Sequence, residues 1–207
     1  YVLEAITYQN MLKEIKRSEL LEDTIGILIT RPDLETGKDI INSLGYYHHL
    51  TGKNINFFLP GFGAYWPDEM YPDQENVVTI DHATWSFSNM MFVDFIHELE
   101  EITTWKYTGE SELLLISYHD QFLDFSVASQ FWLDQMLKDG VISSTSSFFT
   151  QLARLAKKNN SVSSMRRMSG LANISKSLID EFVDSLPKYL SHTIREGKYY
   201  IARDFSK

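Results

Sequence analysis

The spacing of hydrophobic residues divides the first part of the chain into helical and extended segments. Apolar side chains recur at helical spacing over about the first twenty residues and again over residues 40–48, which predicts an amphipathic helix in each place. Residues 25–30 and 54–59 are instead short, mostly apolar runs, as is typical of strands buried on both faces. Residues 25–59 therefore predict a strand–helix–strand unit of the length that a parallel crossover requires.

The same two patterns continue along the chain. Further strands are predicted at residues 77–80, 113–117 and 199–202, and the proline-containing stretch 61–76 is predicted to be a loop. Further helices are predicted over residues 88–102, 127–139, 147–158 and 171–186. This alternation indicates an α/β protein with a mostly parallel sheet, Rossmann-like or flavodoxin-like, with flanking helices and a helical C-terminal part.

Composition narrows the class of protein. The 207 residues are 43% hydrophobic, which is enough apolar mass for a core and excludes intrinsic disorder. No apolar run approaches the roughly 20 residues that span a bilayer, so no membrane partner is expected. The chain has no cysteine, which excludes disulfides and thiolate zinc sites and favours a cytoplasmic protein.

Charge is distributed unevenly between two predicted parts. Residues 1–150 hold 8 basic and 23 acidic side chains, a net charge of −15, whereas residues 151–207 hold 11 and 5, a net charge of +6. We therefore predict an α/β domain with an acidic surface and a basic helical C-terminal extension packed on the same domain. Residues 151–179 contain six basic side chains and no acidic one. They are expected to dock on the acidic part, and contact with nucleic-acid phosphates is the less favoured alternative.

The first predicted strand leads into a candidate anion site. In open α/β sheets, ligands bind beyond the carboxyl ends of the strands. Arg31 and Asp33 follow the strand, and Thr36-Gly37 is the predicted helix start, where unpaired backbone N–H groups favour negative charge. Arg31 is thus expected to bind an anion with these amides. The alternative is a surface arginine paired with Asp33 or Glu35.

Aromatic residues follow the second and third predicted strands. Gly61 and Gly63 predict a tight turn that presents Tyr65 and Trp66, and these rings, with Trp85, could stack on the planar part of a ligand. The favoured alternative is that they cover the end of the core. A dinucleotide fingerprint would need a third glycine where Trp66 stands, so the sequence names no cofactor.

Two Asp-His pairs are candidate acid–base groups. Asp81-His82 follow the third predicted strand, and Tyr118-His119-Asp120 follow the fourth. One carboxylate and one imidazole from these pairs could transfer protons near neutral pH. Successive residues in an extended chain point in opposite directions, so both members of one pair are not expected to face the same ligand. The alternative is that these are polar residues at strand ends.

A fourth group, Asp94, His97, Glu98 and Glu101, lies within two helical turns. A helical metal site needs matching ligands from a second helix, and the sequence offers none. We interpret this group as a solvated acidic face and predict no metal site.

Together these features predict that the protein binds a small anionic ligand, a nucleotide or nucleotide-derived metabolite, at the carboxyl edge of the sheet. General acid–base hydrolysis or transfer chemistry is a further hypothesis. The alternative is a non-enzymatic protein-interaction or regulatory module that docks another protein. An enzyme would bring the strand-end residues into one pocket, whereas an interaction module would expose an apolar patch.

Overall fold

The chain folds around two β-sheets and several helices. A computed structural model describes residues 7–17, 22–45, 55–119, 122–166, 184 and 197–207. Within these residues the helices are α1 (Tyr8–Arg17), α2 (Glu35–Asn42), α3 (Asn89–Ile102), α4 (Leu133–Lys138) and α5 (Thr145–Arg166). The strands are β1 (Glu22–Ile29), β2 (Asn56–Phe58), β3 (Phe62–Ala64), β4 (Glu75–Ile80), β5 (Ala83–Phe87), β6 (Glu112–His119), β7 (Phe122–Trp132) and β8 (Tyr200–Arg203).

The larger sheet is mixed and mostly antiparallel. Its strand order is β2-β1-β6-β7-β8, and only β1 and β2 are parallel. Strand β1 pairs with β6 over eight residues, with Glu22 opposite His119 and Ile29 opposite Glu112. The prediction of a mostly parallel, Rossmann-like or flavodoxin-like sheet is therefore wrong, although the α/β class is confirmed.

The direction of β6 explains this error. After α3, residues 103–111 return the chain to the end of β1 from which α2 departs, so β6 starts beside Ile29. Parallel pairing would require the chain to enter at the opposite end. Residues Leu113 to Ile116 are all buried, and such an apolar run reports that both faces are covered, not which way the strand points.

Strand β7 was not predicted. Residues 127–139 were expected to be one helix, but β7 extends to Trp132 and only Leu133–Lys138 is helical. Adjacent β7 residues Ala128, Ser129 and Gln130 are all buried, so neither face shows a regular alternation of polar and apolar side chains. Without that alternation, the period of two that identifies a strand is lost.

A smaller antiparallel sheet has the order β3-β5-β4. Strand β3 lies in the stretch 61–76 that was predicted to be a loop. Gly61 begins it with φ +79°, and its backbone packs so closely on Phe87 and Phe92 that a Cβ atom would lie 2.8 Å and 2.7 Å from them. The Ser88 N–H donates to the Gly61 carbonyl at 2.9 Å, which ties β3 to the start of α3.

The strand–helix–strand unit is present, with β1 and β2 parallel around α2. Helix α2 begins after Leu34, which supplies no side-chain cap. Thr36, at the predicted helix start, is buried inside the first turn instead. Ser88 does cap α3, because its Oγ accepts the Met91 N–H at 3.2 Å.

The core lies between the larger sheet and the helices. Residues Ile25 and Ile27 of β1 are fully buried. Helix α1 packs on α3, and α2 packs on α5. None of the helices in the described ranges is long and apolar enough to cross a membrane.

The described C-terminal residues join the same sheet. Helix α5 runs through position 150, and β8 pairs with β7. The Tyr199 hydroxyl donates to Asp139 Oδ2 at 2.6 Å, and Lys198 Nζ lies 2.6 Å from the same oxygen. The division at residue 150 stays a prediction, and the predicted helix 171–186 lies almost entirely outside the described residues, as does much of the basic segment.

Gly37 provides a test of the packing between α2 and β1. A Cβ atom at this position would lie 1.9 Å from the Arg31 carbonyl oxygen. We expect Gly37→Ala to destabilise the fold by about 1–3 kcal/mol through overpacking, although the same change in an open helix interior stabilises by about 1 kcal/mol. Urea unfolding would measure the change in unfolding free energy, with Lys38→Ala at the exposed neighbouring position as the control. A stabilised Gly37→Ala would contradict this contact.

Asp73 provides a test of the start of α3. Its carboxylate accepts from Ser88 Oγ at 2.6 Å and from the Met90 N–H at 2.7 Å. Partial burial would raise the pKa of Asp73, but these hydrogen bonds outweigh burial and lower it. We expect Asp73→Ala to cost about 1 kcal/mol at pH 7. The pKa of Asp73 is lower in the folded state than in the unfolded state. The stability that its carboxylate contributes is therefore lost only as pH falls below the ordinary aspartate pKa. A difference in unfolding free energy that is constant from pH 7 to pH 3 would contradict this.

Candidate functional site

Arg31 lies immediately beyond the carboxyl end of β1. Its Nη2 atom forms an ion pair with Asp33 Oδ2 at 3.2 Å, and the two side chains are 31% and 67% exposed. The Arg31 Nε atom is buried and has no hydrogen-bond partner. Asp33 thus engages one part of the predicted anion-binding residue. The Arg31 Nε–H group, which cannot act as an acceptor, has no acceptor to which it donates.

Tyr107, which was not predicted, supplies a second donor of this kind. Its ring lies edge-on to Phe92 at 5.6 Å, and its buried hydroxyl has no hydrogen-bond partner. Burial raises the pKa of Tyr107 to about 12, with Arg31 opposing the shift and Glu112 adding to it. The hydroxyl therefore stays protonated at neutral pH and can donate.

Glu112 is a buried carboxyl group next to these donors. It opens β6 and is 0% exposed. Its two oxygens accept hydrogen bonds from Trp105 Nε1 at 3.2 Å, from Gln130 Nε2 at 2.7 Å, and from both the backbone N–H (3.0 Å) and the hydroxyl of Thr108. Burial raises the pKa of Glu112, and these hydrogen bonds oppose the rise. The group is fully satisfied by the protein itself.

Hydrogen bonds join the neighbouring strand ends at the same place. The Thr30 and Ser111 hydroxyls are 2.8 Å apart, and the Ser111 N–H donates to the Asp134 carboxylate. The Leu133 N–H donates to the Ser111 carbonyl at 2.9 Å. We refer to this end of the sheet, with Arg31, Tyr107, Glu112 and Asp134, as the Arg31 edge.

Two further residues predicted to bind the ligand lie beside Arg31 and are buried. Thr36 is 5% exposed. Gly37 packs against the Arg31 carbonyl, and a Cβ atom at Gly37 would lie 2.8 Å from the Thr30 hydroxyl oxygen. In the structure both residues hold α2 against β1, and their ligand-binding role stays a prediction.

The predicted aromatic frame belongs to the smaller sheet. The Trp66 indole lies across Gly63, 2.3 Å from where a Cβ would be, and meets Tyr71 edge-on at 4.7 Å. Trp85 is half-buried against the core, and Tyr65 is 50% exposed with φ +61°. These contacts fit the alternative that the rings cover the fold.

Asp81 and His82 form the two-residue turn between β4 and β5. Both are exposed and have positive φ, +47° and +66°, as a type I′ hairpin turn requires. They follow a strand of the smaller sheet, not of the larger one, and the Ile80 side chain beside them lies against Gly45, beyond the end of α2. The structure thus does not bring them to the Arg31 edge.

His119 lies at the opposite end of the larger sheet from Arg31. With Glu22 opposite it in the register, about seven residue steps, or roughly 23 Å, separate it from the Arg31 edge. His119 Nε2 is 3.1 Å from Asp124 Oδ2. Hydrogen bonds from Ser126, more than the one from His119, lower the pKa of Asp124. Tyr118 is buried in the core, and Asp120 lies outside the described residues.

A cleft of about 270 Å³ lies between α2 and β4. Pro32, the neighbour of Arg31 in the sequence, lines it together with Lys38, Glu75 and Val77. Its volume is just below the roughly 300–1,000 Å³ of ordinary ligand sites, so the cleft has room only for a small molecule.

The residues that the sequence did not predict all lie where antiparallel strands begin or end. Tyr107 precedes β6, Glu112 is the first residue of β6, and Asp134 follows β7. The predicted ligand-binding and acid–base residues all follow predicted strands instead. The sequence did contain a signal for Glu112, since this acidic residue stands directly before the apolar run 113–116. A carboxyl group without compensating partners is rare at the start of a buried strand.

Comparisons with family models, with curated proteins and with solved structures found no match to this chain. Within the described ranges, no group of three or more His, Asp or Glu side chains is arranged to hold a metal ion.

Glu112 can be tested by an isosteric change. In Glu112→Gln, an amide nitrogen would face either the Thr108 donors or the donors of Trp105 and Gln130. We expect a loss of about 2–4 kcal/mol of unfolding free energy, because donors would be left buried and unpaired. Chemical denaturation would measure it, with the exposed Glu110→Gln as control. Equal stability of the two variants would contradict the hydrogen bonds described for Glu112.

Proposed function

We propose that the protein binds a small anionic ligand at the Arg31 edge, with Arg31 and Tyr107 as hydrogen-bond donors. The observation that carries the proposal is the pair of buried donors without acceptors, Arg31 Nε and the Tyr107 hydroxyl. Buried donors are nearly always paired in proteins, so two of them at one strand end point to an acceptor supplied from outside the chain.

The hydrogen-bonding groups of the site favour an anion over a cation. Glu112 already accepts four hydrogen bonds, and Asp134 accepts the Ser111 N–H. These carboxyl groups therefore do not need a cation to satisfy them. Arg31 cannot lose its proton, and Tyr107 stays protonated because its pKa is raised to about 12.

Access to the donors is through the exposed part of Arg31. The Asp33 carboxylate, which is 67% exposed, occupies Nη2 and is the group that an entering anion would displace. Exposed ion pairs contribute only about 0–1 kcal/mol, so this displacement costs little. The cleft that begins at Pro32 gives room for the rest of a small ligand, and Lys38 adds a second cation there.

Catalysis is not part of this proposal. Asp81, His82 and His119 were predicted to transfer protons, but they lie at a hairpin turn and at the opposite end of the sheet. A nucleotide is likewise no longer the favoured ligand, because that expectation depended on the parallel sheet.

A second candidate function is a non-enzymatic interaction module. Phe122 favours it, because this side chain is 72% exposed at the start of β7. A single exposed ring is smaller than the patch of several hundred Å² that usually marks an interface, so this function ranks second.

Thermal unfolding with a panel of small carboxylates and phosphates tests the proposed function. A ligand at a hundredfold excess over its Kd stabilises the fold by about 2.7 kcal/mol, which raises Tm by about 5–10 °C for a chain of this size. We expect Arg31→Ala to abolish this shift and Tyr107→Phe to weaken binding about two- to tenfold.

Arg154→Ala is the matched control, because it removes an exposed arginine on α5. It should leave the shift unchanged. A panel without a stabilising anion, or a shift that survives Arg31→Ala, would refute the proposal.

A further inference from the structure

We propose that the anion at the Arg31 edge is a carboxylate bearing one negative charge, and not a phosphate. This inference rests on the function proposed above and names its ligand class.

The buried donors without acceptors match a carboxylate in number. One N–H of Arg31 and one O–H of Tyr107 lack acceptors, and a carboxylate has two oxygens. Sites for a phosphate dianion usually add several backbone N–H groups or a cluster of cations. At the start of α2, Glu35 puts a negative charge in the first turn, which disfavours a dianion there.

The surrounding charge also limits the ligand. Asp33 pairs with Arg31 at 3.2 Å. Glu112 stands opposite Ile29 in the register, two residues before Arg31, and Asp134 is joined to Thr30 through Ser111. The Tyr107 hydroxyl lies within electrostatic reach of Arg31 and of all three carboxyl groups. Each added negative charge on the ligand is repelled by all three, so a second charge disfavours binding.

Asp33 is the acidic group that competes most directly. It occupies Arg31 Nη2, whereas Glu112 and Asp134 are engaged by other protein donors. A carboxylate ligand replaces Asp33 with a group of the same charge and geometry. With Asp33 displaced, Nε and Nη2 of Arg31 would both be open to one carboxylate, and a lysine could not offer this bidentate geometry.

Benzoate and phenyl phosphate test this inference, because they share a ring and differ in the anionic group. Affinities would be measured by thermal shift and by calorimetry on the full chain at constant ionic strength, with chloride as the salt control. At pH 7.5 we expect benzoate to bind about tenfold more tightly. At pH 5.5 a phosphate monoester carries mostly one charge, so the difference should shrink to less than about threefold.

Asp33→Asn provides an independent arm. Removing the competing charge should tighten benzoate binding about two- to fivefold and should tighten phenyl phosphate binding more. Arg31→Lys, which keeps the charge but loses Nε, should weaken benzoate binding at least tenfold, and circular dichroism would verify that each variant is folded.

The outcomes separate the two proposals. Phenyl phosphate binding as tightly as benzoate at pH 7.5, with both dependent on Arg31, would overturn the carboxylate inference and leave the anion site standing. A benzoate affinity that Asp33→Asn leaves unchanged would also overturn it. No binding of either compound, or binding indifferent to Arg31→Lys and Tyr107→Phe, would refute the proposed function itself.

Discussion

The antiparallel pairing of β1 with β6 determines which side chains can meet in this protein. Its register places Ile29 opposite Glu112 at one end and Glu22 opposite His119 at the other. Because β6 is antiparallel to β1, the residues before β6 lie near Arg31, and His119 at the end of β6 lies far from it. With both strands buried on both faces, a slip of one residue would turn every side chain to the wrong layer, so the register is strongly determined.

The same pairing buries a carboxyl group at the start of a central strand. Removing Glu112 from water is costly unless hydrogen bonds replace its hydration. The residues 103–111 provide this compensation, since Trp105 and Thr108 both donate to it, and Gln130 of β7 completes the set. The hydrogen bonds to Glu112 therefore hold the connection that carries Tyr107 in place, and with it the position of the tyrosine near Arg31.

Local features of the fold could be predicted from the sequence, and long-range ones could not. The apolar run at 25–30, the stripe that begins at Ile40 and the helical pattern over 88–102 depend on neighbouring residues, and the structure has β1, α2 and α3 at these places. The direction of β6 depends on how the chain returns after α3, which no local pattern encodes. Arg31 was predicted because it follows a strand, whereas Tyr107 precedes one and Glu112 begins one. His119 was assigned to the site only because β6 was taken to be parallel.

The lengths of the outer strands bear on how the protein avoids self-assembly. The central strands β1 and β7 have eight and eleven residues, but the outermost strands β2 and β8 have three and four. Beyond β8, the Phe205 N–H donates to the Phe125 carbonyl at 2.8 Å and so occupies part of β7 that β8 does not reach. Unpaired backbone along a long outer strand is a template for aggregation. The few residues around Phe205 therefore cover this part of β7, and their detachment would expose the backbone before Ala128 as an unpaired edge.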